Sequence, residues 1–121
     1  RGRASEPRAD VWDPLSIALN EDITSKQSAH EVLAAFTRRG AQFSEVNSVT
    51  ALHRVAKLAA SEDLSHDIVV KALVEKVAGL VIGPGLTEPQ GLGNTAWSLA
   101  KLGIHAEPLL TAIASAAIAQ Y

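Results

Sequence analysis

The stretch Gly91-Leu92-Gly93-Asn94-Thr95-Ala96 fits the spacing G-x-G-x-x-A. With that spacing a glycine-rich turn brings backbone N–H groups up to a pyrophosphate at a helix N-terminus. The chemistry also needs a strand running into the first glycine and an acidic residue ~20 positions later. Here Thr87-Glu88-Pro89-Gln90 precedes the glycines, a poor strand ending, and no acidic residue follows Glu107. A small nucleotide-binding enzyme would need a β-strand before Gly91. The reading that fits the surrounding residues is that Gly91 and Gly93 are loop and helix-start positions where neighbouring backbone comes close.

The other residues with chemical potential do not assemble into a reactive set. Among His30, His53, His66 and His105 no two lie four apart, and His30-Glu31 has no second histidine at the zinc-protease spacing. There is no cysteine, so thiolate chemistry, disulfides and a structural zinc set are excluded. No G-x-S-x-G elbow occurs, and the carboxylates are scattered. No catalytic residue, cofactor or metal is expected.

A different set points to binding. Asn47, His53, Arg54 and Lys57 lie on one helical segment, Asn94, Ser98 and Lys101 on another, and Arg38 and Arg39 end the helix before them. Arg54 and Lys57 are three apart and so share a face. If the two segments are equivalent helices of a stack, Lys57 and Lys101 stand side by side, a ladder suited to phosphates and bases of a single strand. The competing reading is a solvated outer face. Trp97 could stack on a base, but a tryptophan among Ala and Leu at helical spacing is expected in the core, filling the space its small neighbours leave.

The elements that must position these residues are helical. The 121 residues are 47% apolar, enough for one packed domain, and with only two Trp, two Phe and one Tyr the core is built from Ala, Leu, Val and Ile. Residues 1–22 read as an irregular lead-in containing Pro7 and Pro14, with Trp12, Leu15, Ile17 and Leu19 as an apolar patch. Its polar, Arg-rich start resembles neither a signal peptide nor a clean transit peptide, and the missing initiator methionine suggests processing or a segment of a longer chain. Ser28 and Glu31 form a capping box, followed by Val32, Leu33 and Phe36 on one face and a stop at Gly40.

The second helix carries the stripe Val49, Leu52, Ala56, Ala59, with Val55 and Leu58 beside it. The third carries Val69, Leu73, Val77 and Leu80, with Asp67 in its first turn. Gly83–Gly91 is a loop rich in Gly and Pro. The fourth helix places Leu92, Ala96, Leu99 and Gly103 on one face, and Pro108 starts a fifth. The short segment Gly79–Gly83 is the best strand candidate, but it continues a periodic helix. The fold class expected is all-α, with about five helices in residues 23–121.

Val46–Leu58 and Leu92–Leu102 superpose at an offset of 44 residues: Leu52 on Ala96, Val55 on Leu99, and Ala56-Lys57-Leu58 on Ala100-Lys101-Leu102. A helix pair repeated at roughly 40 residues marks an α-solenoid of helix-turn-helix repeats, here about two. Leu92, Asn94-Thr95-Ala96-Trp97 and Leu99-Ala100-Lys101-Leu102-Gly103 resemble the signature helix of octotricopeptide-type repeats, relatives of the pentatricopeptide class and of the heptatricopeptide arrays that often end in an RNA-binding RAP module. Val46-Asn47 and Thr50 to Leu58 are similar to a leading, more divergent unit. The likeness covers roughly residues 23–121. It implies a segment of a helical array that binds single-stranded or structured RNA in mitochondria or chloroplasts, acting in transcript maturation, splicing, translation or ribosome assembly. It also implies that the tryptophan is a packing residue.

The formal net charge is −2. Phosphate contacts dominate nucleic-acid affinity, so an RNA role here must rest on a local face or on neighbouring repeats. The final stretch, Leu109 to Tyr121, is apolar on more than one face yet too short to span a bilayer. It is expected to pack on another repeat or on a protein subunit. That leaves a second functional reading, a non-catalytic protein–protein scaffold subunit within a large organellar complex.

Overall fold

The computed structural model describes residues 13–83 and 88–119. It is all-α, with no strand among the described residues. The helices are α1 (Pro14–Ser25), α2 (Ala29–Arg39), α3 (Glu45–Leu58), α4 (Ile68–Ile82), α5 (Pro89–Leu102) and α6 (Glu107–Ile118), with a 3₁₀ turn at Gly40–Gln42 between α2 and α3.

Each boundary has a local cause. Asp13 caps α1, its Oδ1 accepting from the Ser16 N–H at 2.7 Å, and Pro14 occupies the first turn, where an N–H is not needed. The lead-in is therefore not irregular up to residue 22: from Pro14 onward it is helix, and Leu19 and Ile23 enter the core while Leu15 and Ile17 stay exposed. Pro7 and Trp12 lie outside the described residues. Ser28 caps α2 as expected, but Glu31 reaches past it to accept from the Gln27 N–H at 2.9 Å, so the box is displaced by one residue. The full reciprocal box is at the start of α3, between Ser44 and Asn47. Asp67 caps α4 through the N–H groups of Val69 and Val70.

Helix α5 begins at Pro89, inside the Gly83–Gly91 stretch expected to be loop. Gly103 ends α5 in the left-handed region at φ 70°, and the Ile104 N–H bonds back to the Leu99 carbonyl. A side chain at Gly103 meets no atom within 4 Å. Gly103→Ala is therefore expected to cost about 1 kcal/mol from backbone conformation alone, read as a lower urea midpoint with unchanged slope; no change would remove the left-handed cap from this account. Gly40 serves differently: its φ is ordinary, but a Cβ there would lie 2.7 Å from the Phe36 ring.

The core is one cluster, with Leu19, Ile23, Val32, Leu52, Val55, Val70, Leu73, Val77, Leu92, Leu99, Leu109 and Ile113 among its members. In α4 the buried face is Val70, Leu73, Val74, Val77 and Val81, rotated from the expected stripe so that Val69 and Leu80 are only half-buried. Helix α3 is central, touching α1, α2, α4 and α5. Contacts run α1–α3–α5 and α2–α4–α6, and the pairs α2–α3, α3–α4 and α5–α6 join the two series.

Candidate nucleic-acid interface

Helices α3 and α5 are the two segments related by the 44-residue offset. Their limits coincide under it, Glu45–Leu58 on Pro89–Leu102, each 14 residues long. The two helices pack directly against each other, so equivalent positions become neighbours.

His53 and Trp97 occupy equivalent positions, and their rings meet in a T-shaped contact, centroids 5.1 Å apart and planes at 79°. Trp97 is 46% exposed. This corrects the expectation that it fills the core: Leu92, Leu99 and Leu102 take the buried face of α5, and position 97 lies outside that stripe. One helical turn beyond each ring stands a lysine, Lys57 after His53 and Lys101 after Trp97, both exposed. One turn before stand Thr50 and Asn94, each half-buried. The result is two equivalent rungs on adjacent helices, each running from a small polar group through a ring to a cation.

Several residues expected on this face are elsewhere. Asn47 is fully buried: its Oδ1 accepts from the Ser44 N–H at 3.0 Å, and its Nδ2 donates to the Ser16 carbonyl at 3.0 Å and to Asn20 Oδ1 at 3.1 Å. Ser98 is also fully buried, its hydroxyl donating to the Asn94 carbonyl at 2.6 Å. Neither can meet a ligand. Arg54 is half-buried and donates through a guanidinium NH2 to the Lys26 carbonyl at 2.5 Å, holding the end of α1. Arg38 and Arg39 are exposed at the end of α2, roughly 12 Å along the axis from His30. Arg39 Nε donates to Gln42 Oε1 at 3.3 Å, and Arg38 lines an open polar groove with Ser25, Lys26, Gln27, Glu31 and Ala34.

The histidines divide by environment. Burial, then the cations Lys57 and Arg54, push the His53 imidazole below its ordinary range. His30 is shifted upward by its hydrogen bond to Glu62, Nε2 to Oε2 at 2.7 Å, and by that carboxylate's charge. His66 and His105 are exposed. Among the described residues no cluster of His, Asp and Glu could hold a metal ion.

The glycines of the G-x-G-x-x-A stretch lie inside α5, with the Leu92 N–H bonded to the Glu88 carbonyl at 3.0 Å and the Thr95 hydroxyl to the Gly91 carbonyl at 2.8 Å. The turn between strand and helix that a dinucleotide cradle requires is not what these residues form. No described helix is long and apolar enough to cross a membrane.

The pairing of His53 with Trp97 was missed from the sequence, although the 44-residue offset contains it. Comparison with protein-family models, with curated proteins and with solved structures finds no match.

Proposed function

We propose that this chain is a non-catalytic RNA-binding segment of an α-solenoid of octotricopeptide type, acting in organellar gene expression in a mitochondrion or chloroplast. The observation that carries the RNA reading is the pair of rungs, Thr50-His53-Lys57 and Asn94-Trp97-Lys101, brought together by a contact between their rings. The exposed indole of Trp97 takes a base and the adjacent lysines take phosphates, the combination that single-strand binders use. The solenoid reading is supported by the two contact series and by the coincident limits of α3 and α5. The organellar setting rests on the resemblance of the α5 sequence to the repeat signature.

The test is binding of an unstructured RNA oligonucleotide across a salt series. Each phosphate neutralised on a single strand contributes about −0.7 to the slope of log K against log salt. Replacing Lys57 and Lys101 by alanine is therefore expected to flatten the slope by about 1.4 in total. An unchanged slope would remove both lysines from the interface.

A second reading, a protein–protein scaffold, is favoured by α6. There Leu110 is 37% and Ile118 71% exposed, on a helix that buries only Leu109 and Ile113 fully. A partner subunit covering this face is the arrangement that reading requires. Absence of RNA binding at low salt decides for it.

A further inference from the structure

Resting on the reading of the α3–α5 face as an RNA interface, we propose that single-stranded RNA binds there with uptake of one proton by His53, whose imidazolium becomes a third phosphate ligand beside Lys57 and Lys101.

The argument begins with position. His53 lies one turn before Lys57 on α3, and its ring meets Trp97, which lies one turn before Lys101 on α5. A strand whose base stacks on Trp97 lies beside the imidazole that touches that ring, and phosphates reaching Lys57 and Lys101 lie one helical turn further along the same face. The surroundings of His53 are one-sided in charge. From its own helix Lys57 and Arg54 act on it, and α5 offers Lys101 on the same face. At the end of α1, Lys26 is joined to Arg54 through its carbonyl and paired with Asp22 at 3.2 Å, and Glu21 of the same helix is not among the causes that act on His53. The charged groups of α2 (His30, Glu31, Arg38, Arg39) and of α4 (Lys71, Glu75, Lys76) are not among the causes that act on it. Both charges that act on His53 are positive.

In the unbound protein these surroundings disfavour the imidazolium. A phosphate arriving among these cations supplies the missing negative charge, and an opposite charge within ~4–6 Å favours the protonated form. The bound value then lies above the free one, and affinity rises as pH falls through the interval between them. Folding has the opposite sign. The His53 value in the folded chain is depressed, so stability is full above the unfolded value near 6.5 and is lost as pH falls through the folded value. Phosphate binding to the protonated folded form opposes that loss. The His30–Glu62 pair has a raised value, so it contributes below 6.5 and fades as pH rises; it is common to every variant compared.

The experiment measures affinity for a short unstructured oligouridine at fixed ionic strength between about pH 8 and pH 5.5, for the wild type and for His53→Gln. One unit of difference between bound and free values corresponds to tenfold in affinity. The wild type is expected to tighten about five- to tenfold on acidification and His53→Gln to stay flat. Equal tightening in both, or none in the wild type, overturns the proposal while leaving the RNA interface standing. No binding at any pH overturns the interface and the proposal together. As a second readout on the unaltered chain, the His53 ring is titrated by NMR with and without the oligouridine. An upward displacement on binding is required, and an unchanged or lower value contradicts the assignment.

Discussion

Replacing Asn47 by alanine is expected to lower the free energy of unfolding by about 2–4 kcal/mol, a large part of the ~5–15 kcal/mol that holds a small domain together. Its amide group closes the cap of α3 and fastens α1 to it. One oxygen takes the Ser44 N–H, and the nitrogen reaches the Ser16 carbonyl and the Asn20 side chain. Beside it the Ser16 and Ser44 hydroxyls meet at 2.8 Å. Alanine leaves the buried Ser44 N–H without its acceptor, at ~1–3 kcal/mol, and removes the donor to the Ser16 carbonyl and Asn20 side chain, at ~1 kcal/mol. Asn47→Asp keeps the acceptor for Ser44 but turns a carboxylate toward two oxygens, so it does not rescue. Urea unfolding reads the effect as a fall in midpoint at constant slope. A change within about 0.5 kcal/mol, typical of a surface position, would refute the role given to this residue in docking α1.

Trp97→Ala is expected to separate binding from stability. Stacking of one base on an aromatic side chain is worth about 1–3 kcal/mol, so RNA affinity should fall roughly 5- to 150-fold. The side chain is nearly half exposed and lies outside the leucine stripe of α5, so the folded state should lose only about 1 kcal/mol. Trp97→Phe retains a ring and should recover much of the affinity. Loss of stability without loss of affinity would return Trp97 to a packing role.

Helices α2 to α6 were legible because their ends are written in residue types with a mechanism. Ser28 and Asp67 cap, Gly103 takes the left-handed turn, and Pro108 sits where no N–H is needed. Helix α1 was not legible. Pro14 reads as a breaker unless it is recognised as a first-turn residue, and the exposed Leu15 and Ile17 obscure the period set by Leu19 and Ile23. The site was legible in part. Lys57 and Lys101 were placed by the 44-residue offset, whereas Asn47 and Ser98 carry polar groups that suggest a surface and are instead satisfied inside, one by a cap and the other by a bond to the preceding turn. Residue type alone sends a tryptophan inward. The helical period already puts position 97 outside the buried stripe of Leu92, Leu99 and Leu102, and it is residue type that points the other way.

The central claim is that RNA lies across Trp97. With Trp12→Phe removing the other indole, the fluorescence of Trp97 is followed while single-stranded RNA is added, and binding is followed in parallel by anisotropy of a labelled strand. The account predicts quenching that saturates with the same dissociation constant as the anisotropy and weakens together with it as salt rises. Binding seen by anisotropy with the Trp97 emission unchanged would place the RNA elsewhere and contradict it.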